Sequence, residues 1–314
     1  MEKLKVGVVG AGHLGNYHLQ KYQKIDDIKI VGVVDVLAQL ARQRAEVLQC
    51  AAYTDHHALL GLVDAVSIAV PTKFHYAITK DFLEAGIDVL LEKPITETIA
   101  QADELISLAE KKRLIFQIGF VERFNPAVVA LEKVVETPLF IEAHRLHPFF
   151  ERGTDVDVIL DLMIHDLDII LKFVKSPVKN VEAVGVSVLS DKVDIANARV
   201  TFESGCVANI TASRVTGKTL QKIRFFGIEG YHAVDFGKRE LLSLKRQTVN
   251  DTVEIVENKI DINMHDPLDE EIRSFVRAVR TRTPPVVSGQ DGRRSLGLGL
   301  IIAEKMRLAQ ETTQ

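Results

Sequence analysis

Along residues 1–120 the apolar positions come in short unbroken runs, each followed by a stretch with helical spacing. Lys5–Val9, Ile28–Val34, Ala65–Ala69, Asp88–Leu91 and Ile115–Ile118 read as strands. Between them Gly15–Tyr22, Leu37–Leu48, His75–Ala85 and Ile99–Lys112 read as helices, the last capped by Thr96 or Thr98. Short apolar strands separated by helices describe right-handed βαβ units, and so a doubly wound parallel sheet of the Rossmann type. After Gly119 the pattern changes. Asn125-Pro126 opens a helix, Leu139–Leu146 reads as a strand and Val158–Val174 as a helix. Seven strand-like runs follow: Val181–Leu189, Ile195–Phe202, Val207–Arg214, Lys222–Phe226, Tyr231–Asp235, Leu241–Lys245 and Val253–Val256. Turn signals such as Glu203-Ser204-Gly205 separate them, which predicts an open, mainly antiparallel sheet. Helices Asp269–Thr281 and Gly289–Ala309 close the chain. The expected fold is α/β: a Rossmann domain over 1–120 and an α/β domain over 121–314, with the last helix packing back on the first domain.

The first strand runs into Gly10-Ala11-Gly12-His13-Leu14-Gly15, a G-x-G-x-x-G turn that opens a helix. Gly10 permits the tight turn, Gly12 lets the backbone approach a pyrophosphate, and Gly15 lets helix and strand pack closely. The free N–H groups at the helix start face an anion. Asp35 ends the second apolar run about 20 residues past the glycines, where a carboxylate holds the ribose hydroxyls. Its charge repels a 2′-phosphate, and neither Val36 nor Leu37 offers a cation, so NAD is expected over NADP. A chance Asp beside a glycine-rich βα turn is the bland alternative, and four matched elements weigh against it.

Length and charge narrow the class. The chain has 314 residues and a net charge of −4, which suggests about two domains and no nucleic-acid or anionic-membrane partner. Cys50 and Cys206 lack metal-ligand spacing, which fits a reduced cytoplasmic setting. No apolar run of about 18 residues spans a bilayer, and no signal peptide precedes the first strand.

Four further groups carry candidate chemistry. Glu92-Lys93-Pro94 follows an apolar strand, at the end of the sheet where ligands bind. There a Lys can steady a substrate oxygen as its charge develops, although a solvated loop Lys explains the tripeptide equally well. Asp157, Asp161, His165 and Asp168 recur at spacings that place them on one face of a mostly apolar helix. His165 can take a proton and Asp161 can orient it; a structural His–Asp pair or, with a third ligand, a zinc site are the alternatives. Pro71, Thr72 and His75 follow the strand Ala65–Ala69, at its cofactor end, and His75 reads as structural or as a cofactor contact. Arg123 and Asn125 open the second domain, and Arg145 and Arg152 bracket a loop; arginines there suit a phosphate or carboxylate on the substrate.

Taken together, Gly10-x-Gly12-x-x-Gly15 with His18, Val70-Pro71-Thr72-x-x-His75, Glu92-Lys93-Pro94, Asp161-x-x-x-His165-Asp166 and Val287-Ser288-Gly289-x-Asp291-Gly292 resemble the glucose–fructose oxidoreductase/inositol dehydrogenase family. The resemblance covers nearly the whole chain. It implies NAD bound by Gly10, Gly12, His13, Leu14, Gly15, Asp35, Pro71, Thr72, His75, Glu92 and Lys93. It further implies Lys93 and His165 as active-site residues with Asp161 beside them, and a homodimer or homotetramer formed through the outer sheet face; no metal is expected, because a third ligand beside Asp161 and His165 is not evident. Glu122-Arg123-Phe124-Asn125-Pro126 and His144-Arg145-Leu146-x-Pro148 with Arg152-Gly153-Thr154-Asp155-Val156 resemble the nucleotide-sugar branch. That branch implies oxidation of the 3-hydroxyl of a UDP-N-acetylhexosamine, a step toward a lipid A diamino sugar, with Arg123, Asn125, Arg145 and Arg152 on the substrate. An inositol or other free-sugar dehydrogenase, and a non-catalytic NAD-binding regulator, are the competing expectations.

Overall fold

The computed structural model describes residues 2–149, 156–249 and 252–311. The chain divides into two compact units: Met1–Val121 with Asp266–Arg293, and Glu122–His265 with Arg294–Gln314. The segment that rejoins the first unit is therefore not the whole last helix. It is the helix before it and the first turn of the last one.

In the first unit six parallel strands alternate with helices. They are β1 (Leu4–Val9), β2 (Ile28–Val34), β3 (Ala51–Tyr53), β4 (Ala65–Ile68), β5 (Asp88–Glu92) and β6 (Phe116–Gly119), in the order β3-β2-β1-β4-β5-β6. The reversal between β1 and β4 is the switch point at which doubly wound sheets bind ligands. The crossovers are α1 (His13–Tyr22), α2 (Ala38–Leu48), α3 (His75–Glu84) and α4 (Ile99–Lys112). Strands β4 and β5 are buried along their whole length, as their unbroken apolar runs require. Thr98 is the cap of α4 and accepts from the Gln101 N–H, while Thr96 bonds the Thr98 carbonyl. Helix α7 (Pro267–Thr281) adds Ile272, Phe275 and Val276 to the core beneath β1 and α1.

In the second unit eight strands form one sheet. After α5 (Pro126–Leu131) come β7 (Phe140–Leu146), α6 (Ile164–Phe173), β8 (Val178–Val186), β9 (Ile195–Phe202), β10 (Val207–Ser213), β11 (Leu220–Phe226), β12 (Gly230–Asp235), β13 (Glu240–Val249) and β14 (Thr252–Glu257). Their order is β14-β13-β12-β11-β7-β10-β9-β8, antiparallel except where β7 and β10 run parallel. Ile141, Ala143, Ala196, Ala198, Ala208, Ile210 and Ile223 point to one face and pack with Leu167 and Ile170 of α6 and Ile302 of α8 (Gly289–Glu311). Strand β8 ends at Val186, three residues before the expected limit of Leu189. The Asp194 carboxylate accepts the backbone N–H groups of Val188, Leu189 and Ser190, which removes them from the ladder and makes a turn.

Buried arginine–carboxylate pairs fix this second core. Arg123 Nε and Nη2 donate to Asp168 at 2.5 and 2.7 Å, and Arg145 donates to both oxygens of Asp166 at 2.9 and 3.0 Å. Arg145 also reaches Glu122 at 3.0 Å and lies 4.7 Å over the Phe236 ring. Burial works against its charge, but Asp166 and Glu122 outweigh it and keep the guanidinium ionised. Removing one partner of such a pair strands the other. Asp168→Ala is therefore expected to cost about 3–5 kcal/mol in urea unfolding, and Arg123→Met with Asp168→Leu to recover most of that loss. Unchanged stability in Asp168→Ala would show that the pair is not structural.

Candidate active site

In the first unit the candidate residues gather at the carboxyl ends of the parallel strands. Gly10–Gly12 follow β1, Asp35 follows β2, Pro71 and Thr72 follow β4, and Lys93 follows β5. Gly10 holds φ at +93°, and a Cβ there would lie 2.2 Å from the Ala69 carbonyl oxygen. A Cβ on Gly15 would lie 1.7 Å from the Gly10 carbonyl oxygen, so only glycine lets α1 sit this close to β1. Gly12 differs: among the described residues outside its own chain neighbours, nothing comes within 4 Å of an added Cβ. Protein packing does not demand a glycine there, whereas a pyrophosphate approaching the backbone does. Helix α1 starts without a side-chain cap or a first-turn acid, so its first amides and the positive end of its dipole are left open to an anion. His13 and Leu14, in its first turn, are exposed.

Asp35 is held by its own loop. Its Oδ2 accepts from Ala11 N–H at 2.8 Å and its Oδ1 from Leu37 N–H at 2.9 Å. The carboxylate is thus tied to the glycine turn while Val36 and Leu37 stand exposed beside it. These residues fit an NAD-like dinucleotide: a cradle that a Cβ would fill, an open helix start, and a fixed acid one strand away.

Lys93 is half-buried between buried neighbours, Glu92 before it and Pro94 after it. His75 is almost fully buried. Its Nδ1 lies 2.8 Å from the Pro94 carbonyl oxygen and its Nε2 2.9 Å from that of Val70, so it braces two loops. Burial pushes its pKa below the usual histidine range, although both carbonyls favour the charged form. A neutral ring donates to one of them at a time. Glu92 is also turned inward: its Oε1 lies 3.1 Å from His18 Nε2.

In the second unit the helix bearing Asp161 and His165 begins with a π-helical stretch, Ile159–Met163, before α6. The wide turn shifts the register, so the expected face does not hold together. Asp161 and His165 remain half-buried on the open side. Asp157 caps the start, accepting from Ile159 and Leu160 N–H, and burial pushes its pKa up. Asp168 turns into the core to meet Arg123.

The arginine assignments change. Arg123 and Arg145 are buried with their forks filled by carboxylates, and the geometry makes them structural rather than substrate-facing. Asn125 caps α5, accepting from Ala127 N–H and donating to Glu122 and the Phe236 carbonyl. Arg152 lies outside the described residues. The sequence reading also missed Glu271, a carboxylate in the apolar stripe of α7 four residues before Phe275. An acid inside a buried stripe is the signal that could have found it.

Residues 4–120 match the oxidoreductase family with an NAD-binding Rossmann fold, and residues 137–232 match the GFO/IDH/MocA C-terminal domain. The chain is 39% identical over 303 residues to the UDP-N-acetylglucosamine 3-dehydrogenase of Acidithiobacillus ferrooxidans, with 96% of each chain covered. The solved structure of that enzyme has a TM-score of 0.88 at 38% identity, covering 97% of this chain and 98% of that one. The myo-inositol 2-dehydrogenase of Thermotoga maritima is 29% identical over 317 residues, 94% of each chain. The glycine turn, the fixed Asp35 and these matches define an NAD-dependent oxidoreductase built on a Rossmann domain. Within that class the chain belongs to the GFO/IDH/MocA family.

The contrast between two glycines is testable. Gly12→Val is expected to leave stability within about 1 kcal/mol and to weaken NAD binding at least about tenfold in a fluorescence titration. Gly10→Ala, strained by its positive φ and the Ala69 carbonyl, is expected to cost about 2 kcal/mol or more of stability. Equal effects of both variants on stability would contradict the assignment of Gly12 to the cofactor.

Proposed function

We propose that this enzyme oxidises a sugar hydroxyl to a ketone, and that its substrate is the 3-hydroxyl of a UDP-N-acetylhexosamine. The observation that carries the reading is the 39% identity, spread over 96% of both chains, to an enzyme named for that activity. Bound NAD supplies the acceptor for the hydrogen and electron pair leaving the carbon. The chain's own residues handle the oxygen and its proton. His165 takes the hydroxyl proton, Asp161 orients the imidazole, and the Lys93 ammonium steadies the charge that develops on the oxygen. Arg152 keeps its assignment to the nucleotide diphosphate, since Arg123 and Arg145 are taken by carboxylates. A cytoplasmic step toward a lipid A diamino sugar is the cellular reading that goes with this substrate. Val184 and Val186, exposed on β8, support self-association through the outer sheet face.

A free polyol dehydrogenase is the second reading. The 29% identity to a myo-inositol 2-dehydrogenase favours it, and so does the burial of two arginines expected at a diphosphate. The retained Lys93, Asp161 and His165 weigh against a non-catalytic NAD-binding regulator.

The test is NADH absorbance on mixing enzyme and NAD with UDP-N-acetylglucosamine, myo-inositol or glucose, with hydrazine to trap ketone. A rise with the nucleotide sugar alone is expected; a rise with myo-inositol alone would move the enzyme to the polyol readers, and no rise with any would sink both. Lys93→Ala and His165→Ala are expected to lower kcat by about 10²-fold or more while NAD affinity stays within about threefold. Unchanged turnover in both variants would overturn the assigned roles.

A further inference from the structure

Behind the Glu92-Lys93-Pro94 corner lies a fully enclosed polar cluster that the proposed chemistry does not use. One oxygen of Glu92, one oxygen of Glu271 and a ring nitrogen of His18 all lie within 4.8 Å of one another. His18 and Glu271 are completely buried and Glu92 nearly so. The three come from different elements of the first unit: α1, the end of β5, and α7. His18 and Glu92 hydrogen-bond at 3.1 Å, but both carboxyl oxygens of Glu271, Nδ1 of His18 and Oε1 of Gln117 have no hydrogen-bond partner among the described residues.

Two buried carboxylates this close cannot both carry charge without a large penalty. Glu92 has the imidazole to accept from, and Glu271 has no hydrogen-bond partner among the described residues. We propose that Glu271 stands in the folded chain as a neutral carboxylic acid and that, through Glu92 and His18, it is a positioning residue for Lys93. Burial and the neighbouring Glu92 both push the Glu271 carboxyl well above the usual carboxylate range, in line with this geometry.

The surroundings leave little else to balance a second charge. From α1, Tyr22 faces the cluster with its hydroxyl 2.8 Å from Ser67, and burial pushes the phenol up so that it stays neutral. From β6, Gln117 donates to the backbone carbonyl of Glu271 rather than to its carboxyl. From α3, His75 is driven toward its neutral form. Lys93, next to Glu92 in the chain, is the nearby cation on β5's own corner.

The link to Lys93 is through the backbone. Glu92, immediately before it, is gripped by His18, and its carboxylate lies against Gly119, where a Cβ would come within 2.7 Å of Oε1, so the glycine leaves it the room it occupies. Pro94, immediately after it, is gripped through its carbonyl by His75. The peptide carrying Lys93 is therefore fixed on both sides by buried histidines. A second full charge on Glu271 would repel Glu92 and loosen one of the two grips.

The inference rests on Lys93 acting in the active site, but its proton half can be tested without substrate. Thermal unfolding of the full chain is followed from about pH 5 to about pH 9 for wild type and Glu271→Gln. A carboxyl that is neutral when folded and ionised when unfolded loses stability as pH rises above its unfolded value, until the folded form also ionises. Glutamine has no such proton. The Tm of Glu271→Gln relative to wild type is therefore expected to climb with pH. In steady state with UDP-N-acetylglucosamine, or with myo-inositol if only that reacts, Glu271→Gln is expected to keep kcat within about threefold. Glu271→Ala, which empties the buried space beside Glu92 and His18 and lets their pairing shift, should lower kcat at least about tenfold with KM for NAD within about twofold. A pH-independent loss of Tm in Glu271→Gln, or about one divalent metal per purified chain by elemental analysis, would overturn the neutral acid. Full kcat in Glu271→Ala would overturn the positioning role. Failure of every sugar to react would sink the proposed function and the positioning role together, while the unfolding series would still decide the proton.

Discussion

The near-contact of Gly15 with the Gly10 carbonyl oxygen governs what the first unit can do. A side chain at Gly15 would push α1 off β1, and one at Gly10 would strike the Ala69 carbonyl at the end of β4. With both absent, the uncapped start of α1 stands over the carboxyl ends of the strands, where its amides can meet a pyrophosphate. The same inward face of α1 that carries Gly15 carries His18 one turn on and delivers it to Glu92. One close approach thus serves two ends: an anion site at the helix start, and an anchor under the corner that carries Lys93.

The second unit is organised by charge as well as by apolar packing. Its sheet and α6 bury Ile, Leu and Phe, and through that core run Arg123–Asp168, Arg145–Asp166 and Arg214–Asp194. Such pairs contribute little net stability over well-packed apolar groups, but they are costly to break singly and they fix registry. Asp166 and Asp168 flank Leu167 on α6, so the two pairs lock the orientation of the helix whose open side presents Asp161 and His165. The π-helical stretch just before α6 gives those two residues a register that a continuous α-helix would not.

Much of this was legible in the sequence, because unbroken apolar runs and helical spacing report burial directly. The strand Ile28–Val34 and the helix Ile99–Lys112 were placed to the residue. Strand β3 was not read at all: Ala51–Tyr53 is three residues long and only half-buried, so it carries no period to detect. The glycine turn and Asp35 were legible because each does a distinct steric or electrostatic job at a fixed spacing. The arginines were misread because sequence shows a charge but not its partner; the partners are Asp166 and Asp168, and Asp168 had been counted toward a ligand-facing stripe. The stripe itself assumed an α-helical period where the backbone widens. Glu271 escaped because an acid in an amphipathic helix looks solvated until the whole face is seen to be covered.

The central claim is that this chain removes a hydrogen from the carbon bearing a sugar hydroxyl and passes it to NAD. The most direct measurement is a single turnover with UDP-N-acetylglucosamine carrying deuterium at C3, followed by mass analysis of sugar and cofactor. The expected result is a slowed rise in NADH absorbance, with the deuterium recovered in the reduced cofactor. Deuterium retained in a sugar that has nevertheless been oxidised, or no reduced cofactor at all, would contradict the account.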